Sequence, residues 1–225
     1  MSDPTPHPDG KLSRAAAQRL SQYLRFARTL AEADGTVSSV ELAEAVGVSA
    51  AQVRRDLAAL GHLGQRGVGY DANGLVEALR KVIGVDRRWR VVMVGVGNLA
   101  KALLKYRGFA AHGFDVVGLF DNSSTAIGTT VDGLTVEPVE NLTAAVKRLR
   151  AELGVLTVPA ESAQAVADAA VAAGLKGLMN FAPVRIKVPT GVSIVPVDLA
   201  IQLEQLAFAV HFHEADETPH GEPRV

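Results

Sequence analysis

The 225-residue chain contains no cysteine, which excludes disulfides, zinc-ribbon sites and thiol catalysis. Aromatic residues are scarce at 5%, although the hydrophobic fraction of 48% is ample for a core, so Ala, Val and Leu must supply most of the packing. His211 and His213 lie two residues apart and would face different sides of a helix. We therefore expect no metal site.

The chain also lacks an excess of either charge, with 23 Lys and Arg against 24 Asp and Glu. Any contact with DNA must therefore come from a local patch. No uncharged apolar run reaches the ~18 residues of a membrane span, and the polar start MSDPTPHPDGK has no apolar core of a signal peptide. We expect a soluble cytoplasmic protein in which residues 1–12 and 214–225 are disordered.

Residues 13–84 have the apolar spacing of helices. Ser38 and Glu41 form a capping-box pattern, and Ser49 and Gln52 repeat it eleven residues later. Gly47 ends the first of these two short helices, so a tight turn joins them. This spacing is typical of a helix-turn-helix. The glycine-rich stretch GHLGQRGVGYD that follows could form a small β-wing.

The second helix of this pair would carry its polar side chains outward. Val53, Leu57 and Leu60 form the buried face, and Arg55 points almost directly away from it. Arginine can bind guanine and glutamine can bind adenine in the major groove. The alternative is an ordinary solvated helix face. The candidate DNA contacts are Ser49, Gln52, Arg54, Arg55 and, from the glycine-rich loop, Arg66.

Two observations favour DNA over a merely solvated surface. Residues 11–70 hold eight Lys and Arg against five Asp and Glu, a local excess of positive charge in a chain of net charge −1. Arg66 lies in a loop that a wing could place against a narrow minor groove. The sequence therefore predicts a winged helix-turn-helix domain over residues 13–84.

Residues 85–197 alternate strand-like and helix-like segments, which predicts a Rossmann-like parallel sheet covered on both faces. The predicted strands are RVVMVG, FDVVGLFD, LGVLTVPA, KGLMNFAP and GVSIVPV. Residues 198–213 then predict a terminal helix. Its residues Leu199, Leu203, Leu206 and Val210 share one face, and a partner chain could bury that face.

The stretch VVMVGVGNLAKALLKY predicts a dinucleotide site. Gly95 and Gly97 follow a strand and precede a helix, with Ala100 in the position of the third glycine. The first helix amides would then point at a pyrophosphate. Asp121 ends the next strand, 24 residues after Gly97, where an acid binds the adenosine ribose and disfavours a 2′-phosphate. The pattern favours NAD+ and NADH. A close-packed turn at the glycines and a loop cap at Asp121 are the alternatives.

The chain shows no equipment for using that dinucleotide in a reaction. It has neither a Ser/His/Asp set nor a Tyr-x-x-x-Lys pair, and few residues remain for a substrate pocket beside the nicotinamide. We expect no catalytic residues. A DNA-binding head on such a domain indicates a sensor. The alternatives are a small NAD-dependent oxidoreductase with an appended helical domain, and a sensor of another nucleotide such as an acyl-CoA.

Several stretches together resemble the Rex redox-sensing transcriptional repressors. The resemblance covers residues 18–210. The segments that carry it are RLSQYLR, SSVELAEAVGVSAAQVRRDL, GQRGVGYD, VVMVGVGNLAKALLKYRGF, LTVPAESAQAVAD, GLMNFAPV and VDLAIQLEQLAF. The chain departs from the family pattern at Ser21, at Ala58-Ala59 and at Ala100.

The resemblance implies a homodimer that exchanges its C-terminal helix, binds operator DNA when NADH is low and releases the DNA when NADH binds. It places Arg54 and Arg55 on the recognition helix and Arg66 on the wing. It also implies that Arg25, Tyr106 and Asp198 form alternative contacts in the two states. The residues implied around the dinucleotide are Gly95, Val96, Gly97, Asn98, Leu99, Ala100 and Asp121, with Thr157, Val158, Pro159, Asn180, Phe181, Ala182 and Pro183 at the nicotinamide end.

Overall fold

The computed structural model describes residues 12–32, 35–58, 60, 64–65 and 68–216. The chain divides into two compact units, Met1–Arg88 and Trp89–Val225, so the division falls four residues after the predicted boundary at residue 84. Of the segments expected to be disordered, residues 1–11 and 217–225 lie outside the described residues. Arg66 lies outside them as well.

The first unit combines helices with a small antiparallel sheet, as predicted for a winged helix-turn-helix. In this sheet β3 (Gly69–Asp71) pairs with both β1 (Thr36–Val37) and β2 (Gly64–Gln65), so the glycine-rich segment does contribute two wing strands. The helices are α1 (Arg14–Ala31), α2 (Ser39–Val46), α3 (Ala50–Ala58) and α4 (Ala72–Ile83).

The turn between α2 and α3 has the geometry that its sequence predicts. Ser38 Oγ accepts a hydrogen bond from the Glu41 amide at 3.1 Å, and Glu41 Oε2 accepts one from the Ser38 amide at 2.7 Å. Gly47 ends α2 with a φ of +72°, a conformation that glycine adopts at no steric cost. Val53 and Leu57 of α3 are buried in the same hydrophobic cluster as Leu20 and Leu24 of α1, so the predicted inner face of α3 is confirmed.

The second unit is built on a mainly parallel β-sheet. The described strands are β4 (Trp89–Val94), β5 (Phe114–Asp121), β6 (Thr130–Val131), β7 (Leu134–Pro138), β8 (Leu153–Leu156), β9 (Gly177–Asn180) and β10 (Ser193–Pro196). The helices are α5 (Asn98–Lys105), α6 (Gly108–Ala111), α7 (Leu142–Leu149), α8 (Ala160–Ala172) and α9 (Leu199–Asp216), with a short 3₁₀ turn at Val139–Asn141.

The strand order of this sheet, β10-β9-β8-β4-β5-β7-β6, is that of a Rossmann fold. Read from β7 through β5, β4, β8 and β9 to β10, it follows the 3-2-1-4-5-6 pattern of dinucleotide-binding folds. The chain starts at β4 and reverses direction across the sheet between β4 and β8. Ligands bind at such a switch point, beyond the carboxyl ends of the strands. The predicted fold class is therefore confirmed.

Helix α9 differs from the prediction in length and in surface. It continues to Asp216, three residues past the predicted end at residue 213. Besides the expected leucine face, Ile201, Phe208 and Phe212 are exposed, and at about 100° per residue they lie opposite it. The exposed apolar residues are Leu199, Ile201, Leu203, Leu206, Phe208, Val210 and Phe212. The helix thus carries two opposed apolar faces instead of one.

Across the described ranges, no helix combines the length and apolar character needed to span a membrane. The same residues contain no group of three or more His, Asp or Glu side chains arranged to hold a metal ion.

Candidate functional sites

The glycine loop after β4 is tied to both neighbouring strands. The Gly95 amide donates to the Phe120 carbonyl of β5 at 2.8 Å. On the other side, Thr157 Oγ1 donates to the Gly95 carbonyl at 2.6 Å. Gly95 has a φ of +90°, and a Cβ there would lie 2.7 Å from the Thr157 carbonyl oxygen. Glycine is therefore required at residue 95 by the protein's own packing.

Gly97 has no such structural requirement. A Cβ at this residue would meet no described atom within 4 Å, and the φ of −76° suits any residue. Gly97 precedes α5, and none of the described side chains caps the first turn of that helix. The free amides at a helix start attract an anion, because they add to the positive end of the helix dipole. The open space over Gly97 and these amides fits a pyrophosphate.

Asp121 lies at the end of β5 beside the same loop. Its Oδ2 accepts a hydrogen bond from the Val96 amide at 2.6 Å, and its Oδ1 accepts one from the Ser123 amide at 2.8 Å. Each carboxylate oxygen keeps further lone-pair capacity for a hydroxyl donor. The structure thus brings Asp121 next to the Gly95–Ala100 loop, as the sequence spacing indicates. The loop-cap role is present at the same time, because both backbone bonds fix the loop.

The third edge of this site comes from the loops after β8 and β9. Thr157 joins the glycine loop directly, and the Phe181 amide donates to the Leu156 carbonyl at 2.9 Å. Asn180 is buried and holds its own loop closed. Its Nδ2 donates to the carbonyls of Ala182 and Val184, both at 3.0 Å, and its Oδ1 accepts from the Ala182 amide. The Asn180 side chain therefore shapes the backbone that was expected to line the nicotinamide end.

Val158, Pro159 and Pro183 lie in these same two loops, with Val158 half-buried and both prolines exposed. In the glycine loop, Val96 and Ala100 are buried, whereas Asn98 and Leu99 are exposed. That these residues contact a dinucleotide stays a prediction.

In the first unit, α3 presents the expected basic residues outward. Arg54 and Arg55 are exposed. Arg54 Nη1 donates to Ser39 Oγ at 2.9 Å, and Ser49 Oγ accepts from the Gln52 amide at 3.1 Å. Ser49 is therefore the cap of α3, although the capping box predicted there is only half formed.

The other half of that box is wrong because the Gln52 side chain is engaged elsewhere. Its Nε2 donates to Asp56 Oδ1 at 2.8 Å, and its Oε1 accepts from Arg55 Nη1 at 3.2 Å. In a complete box Gln52 Oε1 would accept from the Ser49 amide, but here Oε1 accepts from Arg55 while Nε2 donates to the Asp56 carboxylate one helical turn ahead.

Asp56 is the centre of a hydrogen-bonded cluster that the sequence did not reveal. Arg19 of α1 donates to both carboxylate oxygens, Nε to Oδ2 at 2.7 Å and Nη2 to Oδ1 at 2.8 Å. The Tyr23 hydroxyl donates to Oδ2 at 3.0 Å. Asp56 is 8% exposed, so this cluster is a buried polar link between α1 and α3. A charged residue beside Val53 and Leu57 on the inner face of α3 was the one available signal.

Protonation of the cluster follows from these contacts. Burial by itself would raise the pKa of Asp56, but the hydrogen bonds from Arg19, Gln52 and Tyr23 together hold this pKa below its ordinary value. Burial and the Asp56 charge raise the pKa of Tyr23. At neutral pH the cluster is therefore an ionised Asp56 that accepts from a charged Arg19 and a neutral Tyr23.

The residues expected to act as a switch each make contacts within their own element or lie exposed. Asp198 Oδ1 accepts from the amides of Ala200 and Ile201, at 2.9 and 3.4 Å, and so caps α9. The exposed Tyr106 packs edge-to-face on Phe109, with the ring centroids 5.4 Å apart. Arg25 is exposed on α1. Their role in switching stays a prediction.

Two family models match this chain. A model described as a CoA binding domain matches residues 86–184, and one described as a putative DNA-binding protein N-terminus matches residues 11–58. The match to residues 11–58 lies inside the first structural unit, and the match to residues 86–184 begins three residues before the second unit and covers the larger part of it.

Curated relatives cover almost the whole chain. A protein of Desulforamulus reducens named redox-sensing transcriptional repressor Rex is 44% identical over 205 residues, which are 91% of this chain and 98% of that protein. A protein of the same name from Carboxydothermus hydrogenoformans is 44% identical over 201 residues, 89% of this chain and 97% of its own length.

Solved structures of a Rex-family repressor called RSP match both units. The protein alone superposes with a TM-score of 0.85 at 32% identity, covering 94% of this chain and 99% of RSP. RSP in complex with β-NAD+ and operator DNA gives 0.84 at 33% identity, with 95% and 99% covered. RSP in complex with β-NADH gives 0.82 at 32% identity, with 92% and 97% covered.

Proposed function

Because the chain belongs to the Rex family of redox-sensing transcriptional repressors, we propose that it binds operator DNA when NADH is scarce relative to NAD+ and releases the DNA when NADH binds. The observation that carries the direction of this response is the pair of RSP complexes. Operator DNA accompanies β-NAD+ in one of them, and β-NADH is bound in the other.

The dinucleotide site of the proposal is the carboxyl edge of β4, β5 and β8. The amides at the start of α5 and the open space over Gly97 would hold the pyrophosphate. Asp121 would accept from the adenosine ribose hydroxyls. The loops after Leu156 and Asn180 would line the nicotinamide end. The dinucleotide supplies the signal, because its nicotinamide carries a positive charge in NAD+ and none in NADH.

Asp121 also sets the expected preference for NADH over NADPH, since its carboxylate would repel a 2′-phosphate. We expect Asp121→Ala to weaken NADH binding and to reduce the difference in affinity between NADH and NADPH. Asp121→Asn is the matched comparison, because it keeps the size of the side chain while removing the charge and one of the two acceptor oxygens. An unchanged NADH affinity of the alanine variant in a calorimetric titration would contradict the assignment.

The DNA site of the proposal is the outer face of α3, with Arg54 and Arg55 as the exposed side chains. Arg66 is proposed as the wing contact on the basis of its place in the sequence. A protein that represses transcription acts where the chromosome is, so the proposal includes a cytoplasmic location.

Helix α9 supports a homodimer with exchanged helices. Its two opposed apolar faces cannot both be covered by one flat surface, whereas insertion between elements of a second copy would bury both. Burying a single leucine side chain contributes about 1.5–3 kcal/mol. Several such residues on each face are sufficient to stabilise an obligate dimer.

The switch of the proposal is the set Arg25, Tyr106 and Asp198, which exchange partners between the DNA-bound and NADH-bound states. Moving a dimer from 1:99 to 99:1 requires about 5.5 kcal/mol of differential binding, about half from each of two nucleotides. One hydrogen bond to a charged group, about 1.5–3 kcal/mol, has the required size. The cap that Asp198 provides for α9 is compatible with this role, since Oδ2 is not used in it.

The decisive experiment is a titration of operator binding with each nucleotide. The operator is the duplex that the protein selects from a random pool. NADH is expected to release it, and NAD+ to leave it bound or to oppose the effect of NADH. Release by both nucleotides equally would contradict redox sensing.

We also propose that the chain does not turn its dinucleotide over, because its relatives are named as repressors. Steady oxidation of NADH with a simple carbonyl substrate would instead favour a small oxidoreductase.

A second candidate ligand deserves one test, since residues 86–184 match a model described as a CoA binding domain. CoA carries a 3′-phosphate on its adenosine ribose, and Asp121 would repel it. We therefore expect acyl-CoA to compete with NADH weakly or not at all. Displacement of NADH by acyl-CoA at equal concentration would reverse this preference.

A further inference from the structure

The Gln52 side chain on α3 lies between a group that can only accept hydrogen bonds and one that can only donate them. Nε2 is 2.8 Å from Asp56 Oδ1, and Oε1 is 3.2 Å from Arg55 Nη1. An ionised carboxylate has no proton to donate, and a guanidinium has no lone pair to offer. The amide can therefore satisfy both neighbours in one orientation only.

That orientation is fixed from α1. Arg19 holds both oxygens of Asp56 at 2.7 and 2.8 Å, and Tyr23 adds a bond of 3.0 Å to Oδ2. Asp56 is buried and Arg19 is partly buried, with 16% of the Arg19 side chain exposed. An ion pair of this geometry is held in place by two parallel bonds. The contacts Arg19–Asp56–Gln52–Arg55 are here named the α1–α3 relay. They connect the interior of the first unit to the outer face of α3.

The relay conflicts with the adenine-binding role that the position of Gln52 on α3 suggests. Reading adenine requires the amide oxygen and nitrogen of a glutamine to face the base together. In this structure both atoms are already committed to protein partners on the flank of α3. Arg55, in contrast, has an exposed guanidinium, which within the described part of the chain is restrained by the Gln52 oxygen at one nitrogen.

We propose that Gln52 is a positioning residue rather than a base reader, and that the α1–α3 relay sets the direction in which Arg55 enters the major groove. A long arginine side chain loses much conformational freedom on binding. Restraining Arg55 before DNA arrives lowers that loss and narrows the set of bases it can reach. This inference rests on the proposed function, because it concerns how the same DNA site achieves its specificity.

The test compares which base-pair position each variant relaxes. The full-length parent, Arg55→Ala, Gln52→Ala and Asp56→Asn each select duplexes from one random pool, and the selected sequences are counted position by position. Arg55→Ala is expected to lose roughly 5- to 150-fold of discrimination at one position. Gln52→Ala and Asp56→Asn are expected to relax that same position, by roughly 2- to 20-fold.

Coupling between the variants gives the second readout. The effect of Asp56→Asn on operator affinity should shrink to less than about twofold in the Gln52→Ala background, because the relay is already broken there. Affinity for a duplex of unrelated sequence should change little in either background. Ser39→Ala is the matched control. It frees the neighbouring Arg54 from its 2.9 Å bond, and its effect should simply add to that of Asp56→Asn.

The outcomes separate this inference from the proposed function. Relaxation at a different position in Gln52→Ala, above all at an A·T pair, would show that Gln52 reads a base. An additive double variant would show that Asp56 acts only on folding. Either result overturns the relay while leaving the repressor function intact. A parent protein that selects no sequence at all overturns both. Gln52→Ala keeps the test valid if Asp56→Asn fails to fold, because residue 52 is only half-buried on the helix surface.

Discussion

Single residues in the glycine loop have separable roles, and Gly95 and Gly97 show this most directly. A methyl group at residue 95 would collide with the Thr157 carbonyl at 2.7 Å on a backbone with φ of +90°. A methyl group at residue 97 would enter open space. The first glycine is thus required for folding, whereas the second leaves room for a ligand.

We therefore expect opposite results from the two alanine variants. Gly95→Ala should lower the free energy of unfolding by about 1–3 kcal/mol, the usual size of local backbone strain. Gly97→Ala should leave stability within about 0.5 kcal/mol of the parent but lower NADH affinity by about tenfold or more, because the backbone can no longer approach the pyrophosphate. Thermal melts and calorimetric titration measure the two effects. Normal NADH affinity in a well-folded Gly97→Ala protein would remove the pyrophosphate from this loop.

Asp56 gives a pH dependence with a definite sign. Its pKa is lowered in the folded protein, so its contribution to stability is fully present above the unfolded pKa of about 3.9 and is lost as pH falls through the lower folded value. The first unit should therefore lose stability as pH falls below about 4. The Asp56→Asn variant should be less stable than the parent at pH 7, and its stability should fall less than that of the parent between pH 5 and pH 3.

Circular dichroism during urea unfolding at several pH values measures this effect. Trp89, the single tryptophan of the chain, starts β4 in the other unit and supplies a fluorescence control. A parent and an Asp56→Asn variant with parallel pH profiles would show that the Arg19–Asp56 pair contributes no net stabilisation.

The surroundings of Asp56 also show what the sequence pattern can and cannot predict. Helical spacing predicts that Val53 and Leu57 face inward and that Arg55 faces outward, and all three positions agree with the structure. It cannot predict that the Gln52 side chain turns away from Ser49 toward Asp56, because Asp56 is held in place by an ion pair with Arg19, which precedes Asp56 by 37 residues. Local patterns specify which face a residue occupies. They do not specify which distant partner completes its hydrogen bonds.

Secondary-structure elements are predicted where their sequence pattern is strong and are not predicted where it is weak. Strands β4, β5, β8 and β9 are rich in apolar residues, and the sequence predicts each of them. The sequence predicts neither β7 (Leu134–Pro138) nor its antiparallel partner β6. Its sequence LTVEP alternates apolar and polar residues and ends in proline, which suits a strand near the edge of a sheet but does not distinguish it from a loop.

Helix α9 is the element that most clearly needs a partner to cover it, since both of its apolar faces are exposed in the single chain. We expect Leu203→Glu on one face and Phe208→Glu on the other each to shift the protein from dimer to monomer, because either charge would be buried in the exchanged-helix dimer. Gln202→Glu, on a polar side of the same helix, is the control and should leave the dimer intact. Light scattering over a range of concentrations measures all three.

Removing residues 198–225 extends this test, and monomers with exposed apolar surface are expected. If only one of the two charged variants dissociates, α9 packs by a single face and is not inserted between elements. A truncated protein that remains a well-behaved dimer would refute helix exchange altogether.

The whole molecule has to connect a change at the nicotinamide to a change at DNA, and Asp198 is the residue on which that coupling can be tested. In the structure it accepts from the amides of Ala200 and Ile201 at the start of α9. An acid at a helix N-terminus is stabilising whatever else it does, so the cap alone explains its presence. The cap does not require the negative charge of Asp198, whereas contacts with Arg25 and Tyr106 in the proposed switch would depend on it.

Asparagine separates these two roles, because it caps helices about as well as aspartate but carries no charge. We expect Asp198→Asn and Asp198→Ala to bind NADH within a few-fold of the parent, since the proposed pyrophosphate and ribose contacts lie elsewhere. Both should shrink the ratio of operator affinities measured without and with saturating NADH, because a neutral residue cannot pair with Arg25 in one state and accept from Tyr106 as a carboxylate in the other. If Asp198→Asn keeps the parental ratio and only Asp198→Ala loses it, Asp198 acts as a helix cap and the redox signal travels by another route.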